Sequence, residues 1–191
     1  MQTSGGQTGK VFCIDLYDIP HPPQAIAVAK KFGNGVIYML NPMDDVGVLD
    51  STWGGNLGDM VRFVQEWSIV EEEDLIASVP AKAERLIAGL EALCARHPAT
   101  IANVRGLGLY QGFTLLTPSD KGRLIELALE RENLLLLGAG TDSIRFRPPL
   151  DVTMAEVDTL IEKLGRLLSE MNKGKASEPP RNLSSTSAVS Q

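Results

Sequence analysis

The chain is poor in the residues that most often announce a function. It has two cysteines and two histidines in 191 residues. Cys13 and Cys94 lie far apart and form no C-x-x-C pair or metal spacing, so neither a zinc knuckle nor a dithiol redox centre is expected. They read as two reduced, buried thiols of an intracellular protein. His21 sits in a proline-rich loop and His97 at the end of a helix, with no Cys, Asp or Glu at ligand spacing, so no metal is expected. Positive charge is short: 18 Lys and Arg against 24 Asp and Glu leave a net charge of −6, which argues against a general nucleic-acid binder. No apolar run reaches the roughly 18 residues of a membrane span. The first ten residues are polar and glycine-rich, without the apolar centre of a signal peptide, and a cytoplasmic location is expected on that ground. G-x-S-x-G and the phosphate-binding P-loop are missing. Arg105-Gly106-Leu107-Gly108 looks like half a dinucleotide fingerprint, but it leads into a second strand rather than a helix and is rejected. No internal repeat is found.

What is present is an ordinary globular composition, 43% hydrophobic, enough for one large domain or two small ones. The chain opens on M-Q-T-S-G-G-Q-T-G-K, the interior of a glycine-rich loop, and is expected to be the C-terminal part of something longer. Short strands are expected at 11–19 and 25–29, divided by Pro20, Pro22 and Pro23, and at 36–40. A polar loop follows at 49–56. Leu57, Met60, Val61, Val64 and Trp67 then share one helical face. A second helix is expected over about 81–96, with Pro80 in its first turn and Pro98 closing it. The acidic run 71–74 reads as a solvated turn near a helix start, without catalytic role. Strands are expected at 101–104 and 108–116, a helix at 120–131, and strands at 133–137 and 143–147. A last helix begins at Thr153, where Thr153 and Glu156 form a T-x-x-E capping box. Its stripe of Val157, Leu160, Ile161, Leu164, Leu167, Leu168 and Met171 should pack on a sheet. From Asn172 the chain turns to Ser, Pro and Lys without aromatics, a disordered tail. The order of elements suggests a compact α+β unit at the C-terminus, preceded by part of another domain.

Three stretches could carry chemistry. The apolar run Ala25–Ala29 ends at Lys30 and Lys31, followed by Gly33 and Gly35. A lysine amine at a strand end beside a crevice can attack carbonyls, and glycines let a flat ligand approach. The alternative is a solvated strand end, since lysines snorkel readily. Ser51-Thr52-Trp53-Gly54-Gly55-Asn56 precedes a helix and reads either as an anion site or as a plain N-cap turn. Arg145 and Arg147 are two apart and would share a strand face. Their planar forks suit a carboxylate, or they stand as exposed arginines of an edge strand.

Taken in order, these pieces resemble the C-terminal half of a class III (omega) aminotransferase, a pyridoxal-phosphate enzyme of α/β fold type I. The carriers are Q-T-x-G-G-x-T-G-K, A-K-K, S-T-W-G-G-N, N-V-R-G-x-G-L and I-R-F-R-P-P-L, from about Gln2 to Met171. Within the class, S-T-W-G-G-N and R-F-R-P-P-L look most like the lysine 6-aminotransferase branch, with 4-aminobutyrate aminotransferases as near relatives. The resemblance implies that Lys30 forms the Schiff base with pyridoxal 5'-phosphate and shuttles the proton. It implies that Gln2 hydrogen-bonds the cofactor's phenolic oxygen and that Thr52 reaches the cofactor phosphate of the other subunit in a homodimer. Arg145 would hold the substrate α-carboxylate, and Arg147 has no clear role. Residues 1–75 would be a remnant of the cofactor-binding large domain, 76–98 a connecting helix, 99–171 the small C-terminal α+β domain and 172–191 the tail. The activity implied is transfer of an ω-amino group, in the first place the ε-amine of L-lysine, to 2-oxoglutarate. The alternatives are a 4-aminobutyrate or ornithine-type enzyme, or a non-catalytic α+β binding or assembly module. The family's aspartate for the pyridine nitrogen lies just upstream of the position of Gln2, where this chain has Met1. The phosphate loop and the stacking aromatic lie further upstream still. The chain alone is therefore expected to have little or no transaminase activity.

Overall fold

The apolar stripe that follows Thr153 organises the molecule. It belongs to helix α4, Met154–Ser177, in a computed structural model that describes residues 5–44 and 52–177. The capping box forms as expected. The Thr153 N–H donates to Glu156 Oε2 at 2.8 Å and the Glu156 N–H donates to Thr153 Oγ1 at 3.2 Å. These bonds from Thr153 hold the Glu156 carboxyl below the usual glutamate range. Val157, Leu164, Leu167, Leu168 and Met171 are buried, while Leu160 and Ile161 are half-buried at the margin. Their partner is helix α2, Leu75–Arg96, which buries Val79, Ala83, Leu86, Leu90 and Leu93 on one face. Gly89 sets the closeness of the two helices, because a Cβ there would lie 2.6 Å from Ile161 Cγ1.

The helices cover one face of a four-stranded antiparallel sheet of order β3-β4-β6-β5, with β3 at Ile101–Leu107, β4 at Tyr110–Leu115, β5 at Leu137–Ala139 and β6 at Ser143–Phe146. Alternation on β4 sends Phe113 and Leu115 inward beside Ile144 and Phe146, and the Phe113 and Phe146 rings meet at 5.5 Å. The opposite face carries Gly112, Thr114, Ser143 and Arg145. Helix α3, Pro118–Glu132, starts on the Thr117 cap, whose hydroxyl accepts from the Asp120 N–H at 3.2 Å. It ends at Asn133, held left-handed at φ 48°. That cap is why β5 begins at Leu137 rather than at 133 as expected. The R-G-L-G stretch closes the β3–β4 hairpin, which agrees with its rejection as a nucleotide loop.

Several expectations are corrected. No strand forms over 11–19, where Cys13–Leu16 is a 3-10 turn; among the described residues no strand lies alongside to supply a ladder. Helix α2 starts at Leu75, so Pro80 is its sixth residue rather than part of the first turn. The lost N–H bond is offset by burying Val79 and half-burying Leu75 and Ile76. The acidic run is solvated and turns into a helix start as expected, with Asp74 the N-cap of α2, but Glu71 and Glu72 still belong to the end of helix α1, Leu57–Glu72. Cys13 and Cys94 are half-buried, not buried, and form no disulfide. The helix runs past Asn172 to Ser177, so the chain from 172 is structured at its start; residues 178–191 lie outside the described ones. The Asn172 amide explains the extension. Its Nδ2 lies 2.9 Å from His97 Nδ1, and its Oδ1 accepts from the Thr100 hydroxyl.

Helix α1 shows the largest departure. Its 3.6-residue stripe is real, yet Leu57 is 77% and Val61 62% exposed, with Met60 and Val64 exposed as well. The helix is rotated from expectation: the packed side is Phe63, Trp67 and Val70. A two-stranded antiparallel hairpin, β1 at Ala25–Val28 and β2 at Val36–Met39, lies before it. It buries Val28 and leaves all of β2 exposed. The loop at 5–9 docks on the β3–β4 hairpin. The Leu109 N–H donates to the Gln7 carbonyl at 2.8 Å, and Gln7 Nε2 donates to the Pro148 carbonyl at 2.7 Å. Gly108, at φ 58°, makes this approach possible, since a Cβ there would lie 2.2 Å from that same Gln7 oxygen. No described helix is long and apolar enough to cross a membrane.

Two measurements check this packing. Gly89→Ala should overpack the α2–α4 contact and cost about 1–3 kcal/mol in denaturant unfolding. His97 is buried, and burial, then the neighbouring Arg96 charge, lowers its pKa. Below about pH 6.5 the unfolded chain therefore binds more protons than the folded one. Stability should be full above that pH and fall as pH drops through it, and His97→Gln should flatten the fall in unfolding midpoint between pH 7.5 and 5.5.

Candidate active site

The run that begins at Ala25 forms β1 through Val28, reaches extended Ala29 and then turns sharply. Lys30 takes φ 58°, Lys30–Phe32 form a 3-10 turn, and Gly33 closes it at φ 69° with its N–H donating to the Lys30 carbonyl at 2.7 Å. A left-handed lysine is uncommon and is held only where its surroundings require it. Lys30 is exposed and opens on a cleft of about 650 Å³ shared with Gly33, Asn34, Gly35, Asp59, Arg62, Glu66 and Arg147.

The cleft wall comes from the first turns of α1. Arg62 lies 3.2 Å from Asp59 and 3.7 Å from Glu66, one turn to either side. Its Nη2 also donates to the Gly33 carbonyl. Beneath the turn, the Phe32 ring stacks on Phe63 at 5.7 Å, on Trp67 at 5.3 Å and on Phe12 at 5.9 Å. These rings border a smaller pocket of about 270 Å³ that reaches Pro149 and Leu150.

Arg145 is elsewhere. It sits on the open face of the sheet, in register with Gly112, which is itself in register with Arg105. With Ser143 and Tyr110 these residues line a depression of about 140 Å³. Arg105 is anchored by bonds to Thr114 Oγ1 at 2.9 Å and Ser143 Oγ at 3.0 Å. The expectation that Arg145 and Arg147 share a strand face is corrected: β6 ends at Phe146, and Arg147 lies beyond it at the turn into Pro148. Arg147, given no role from sequence, is the arginine on the Lys30 cleft.

Thr52 is exposed in the turn before α1 and does not line that cleft. The N-cap is Asn56, whose Oδ1 accepts from the Gly58 N–H at 2.9 Å. Gln2 and Ser51 lie outside the described residues. Arg62, Asp59 and Glu66 were missed because i, i+3 and i, i+4 charge pairs on a helix read as ordinary surface pairs. Only their closeness to Gly33 in space gives them a place in the site.

The class-III aminotransferase family model matches residues 1–168. The chain is 36% identical over 169 residues to L-lysine-epsilon aminotransferase of Mycobacterium bovis, covering 84% of this chain and 37% of the relative. It is 34% identical over 164 residues to acetylornithine aminotransferase of Gloeobacter violaceus, covering 83% and 40%. Among solved structures, lysine aminotransferase from M. tuberculosis in its internal aldimine form superposes with a TM-score of 0.80 at 34% identity, over 87% of this chain and 40% of that one. The chain thus spans about two fifths of the length of the relatives it matches, and its mixed α/β architecture is the corresponding part of their fold. It belongs to the class-III aminotransferase family.

Proposed function

We propose that Lys30 is the lysine that binds pyridoxal 5'-phosphate covalently, in a transaminase that moves an ω-amino group to 2-oxoglutarate. Class-III aminotransferases are generally dependent on that cofactor. The observation that carries the reading is Lys30 on a left-handed turn at the edge of an open cleft. The chemistry of the donor set fits: an amine for a carbonyl, Gly35 with open space where a side chain would stand, and Arg147 for an anionic group. The bound cofactor would supply an aldehyde and an electron-withdrawing ring.

The chain's own residues then divide the work. Lys30 Nζ holds the cofactor at rest. The same nitrogen, as a free amine, would take the proton from the donor's amine-bearing carbon and later return it, acting first as base and then as acid. Arg145 receives the donor α-carboxylate; its guanidinium makes no hydrogen bond or ion pair with the described residues and is free to do so. Gln2 is assigned to the cofactor's phenolic oxygen and Thr52 to the phosphate of a second subunit's cofactor, in a homodimer. The same reading assigns residues 1–75 to the large domain, 76–98 to a connecting helix and 99–171 to the small domain.

The donor favoured is L-lysine at its ε-amine, supported by the names of the 36% identical relatives. An ornithine-type donor is the second reading, supported by the acetylornithine aminotransferases at up to 34% identity. Turnover by the chain alone is expected to be small, so the readout is the ranking of whatever glutamate forms from 2-oxoglutarate: L-lysine should exceed N-acetylornithine and 4-aminobutyrate, and the reverse order would move the assignment. The covalent role is tested by adding pyridoxal phosphate to the purified chain, reducing with borohydride and mapping peptides. A single dominant adduct at Lys30, lost in Lys30→Ala, is expected. Adducts spread over surface lysines would sink the assignment.

A further inference from the structure

Lys30 holds a backbone conformation that a lysine does not choose. Something must hold it there, and the hairpin in front of it is a poor candidate. It has two strands, one of them exposed along its whole length, and isolated two-stranded hairpins are marginal in water. The turn's own hydrogen bonds, Gly33 N–H to the Lys30 carbonyl at 2.7 Å and Phe32 N–H to the Ala29 carbonyl at 3.5 Å, close the loop without fixing its hand.

The contacts that reach the turn from outside come largely from one stretch of α1. Phe63 and Trp67 are four apart and so lie on one side of the helix. Their rings are 5.9 Å apart and both stack on Phe32, with interplanar angles of 14° and 22°. Phe12 stacks on the same ring at 5.9 Å. The Arg62 guanidinium donates to the Gly33 carbonyl. The Glu66 carboxylate sits so close that a Cβ on Gly33 would lie 2.9 Å from its Oε2. The two sides of this stretch thus act on consecutive residues: the aromatic side grips Phe32 and the charged side grips Gly33. The charged side also walls the cleft onto which Lys30 opens.

We infer that the Phe32–Phe63–Trp67 stack and Arg62 form a clamp that holds residues 30–33 in their turn, with Lys30 left-handed at its start, and thereby directs the Lys30 amine into the cleft. Phe32, Phe63, Trp67 and Arg62 are positioning residues on this account. The functional half rests on the reading of Lys30 given above; the conformational half does not.

The test uses the full 191-residue chain and two readouts. Hydrogen exchange of the segment 29–35 reports whether the turn is held, with Gly33 N–H as the key amide. The fraction of total pyridoxal phosphate adduct found at Lys30 after borohydride reduction reports where the amine points. Phe32→Ala and Trp67→Ala should each speed exchange in 29–35 and lower the Lys30 fraction by about fivefold or more, the scale of a relaxed left-handed residue. Phe32→Tyr should leave both near wild type. Exchange over 101–171 should not change in any of them; if an alanine variant loosens that region, Phe32→Leu replaces it, keeping apolar bulk without the stacked ring. Unchanged exchange and unchanged Lys30 fraction in both alanine variants would overturn the clamp. Faster exchange with no Lys30 preference in the wild-type chain would uphold the clamp as a conformational device and overturn the assignment of Lys30.

Discussion

The contact between α2 and α4 over the sheet is the constraint from which the rest hangs. Two long helices each present a continuous apolar face, and Gly89 lets them approach until Ile161 occupies the space a side chain would have taken. Interiors at this density resist added volume as much as lost volume. The sheet is then bound to place: α2 runs into β3 through the turn at His97, and the Asn172 amide ties the far end of α4 to that same turn. Arg145 inherits its position from this chain of contacts. It stands on the open face because Ile144 and Phe146, its neighbours on β6, are committed to the core.

Among the described residues, the N-terminal part has no comparable core. Its order comes from a few directed contacts: Gln7 bonded to the β3–β4 hairpin and to Pro148, and the aromatic stack that joins Phe12, Phe32, Phe63 and Trp67. Burial there is thin, and the apolar faces of β2 and α1 stand in water. Stability in such a molecule is not shared evenly. Losing one ring from the stack should loosen the Lys30 turn and leave the C-terminal core intact, which makes the local consequences of a substitution separable from global unfolding.

What could be read from the sequence follows this division. In the C-terminal part, periodicity and capping residues act locally, and the local preference agrees with the tertiary need. The Thr153–Glu156 box, the α4 stripe and the β3–β4 hairpin were legible for that reason. In the N-terminal part the deciding contacts are non-local. Trp67 belongs to the expected face and is packed, but nothing in the spacing of Leu57, Met60, Val61 and Val64 says that Phe63 would join it while they stay exposed, because that depends on Phe32, over thirty residues earlier. The same holds for the site. Lys30 could be singled out by its place after an apolar run and before glycines. Arg147 was singled out too, but as a partner of Arg145 on one strand face; its place on the Lys30 cleft was not legible, because a residue just past the end of β6 takes its direction from the Pro148–Pro149 segment rather than from strand alternation.

The two arginines show why fold and chemistry need separate arguments. Arg145 has the rigid support expected of a group that fixes a carboxylate: a strand in mid-sheet, with a glycine opposite and an anchored Arg105 beyond it. Arg147 has the position, on the cleft with Lys30, but sits on a turn. An amine transfer needs both kinds of group. One must hold the unreacting end of the substrate from a fixed platform, and another must balance charge near the reacting amine. On the proposed reading, the sheet would provide the first through Arg145 and the segment leading into Pro148 the second through Arg147. On that same reading, the sheet would fix the substrate's orientation and the clamped turn would fix the lysine's, each through contacts of its own.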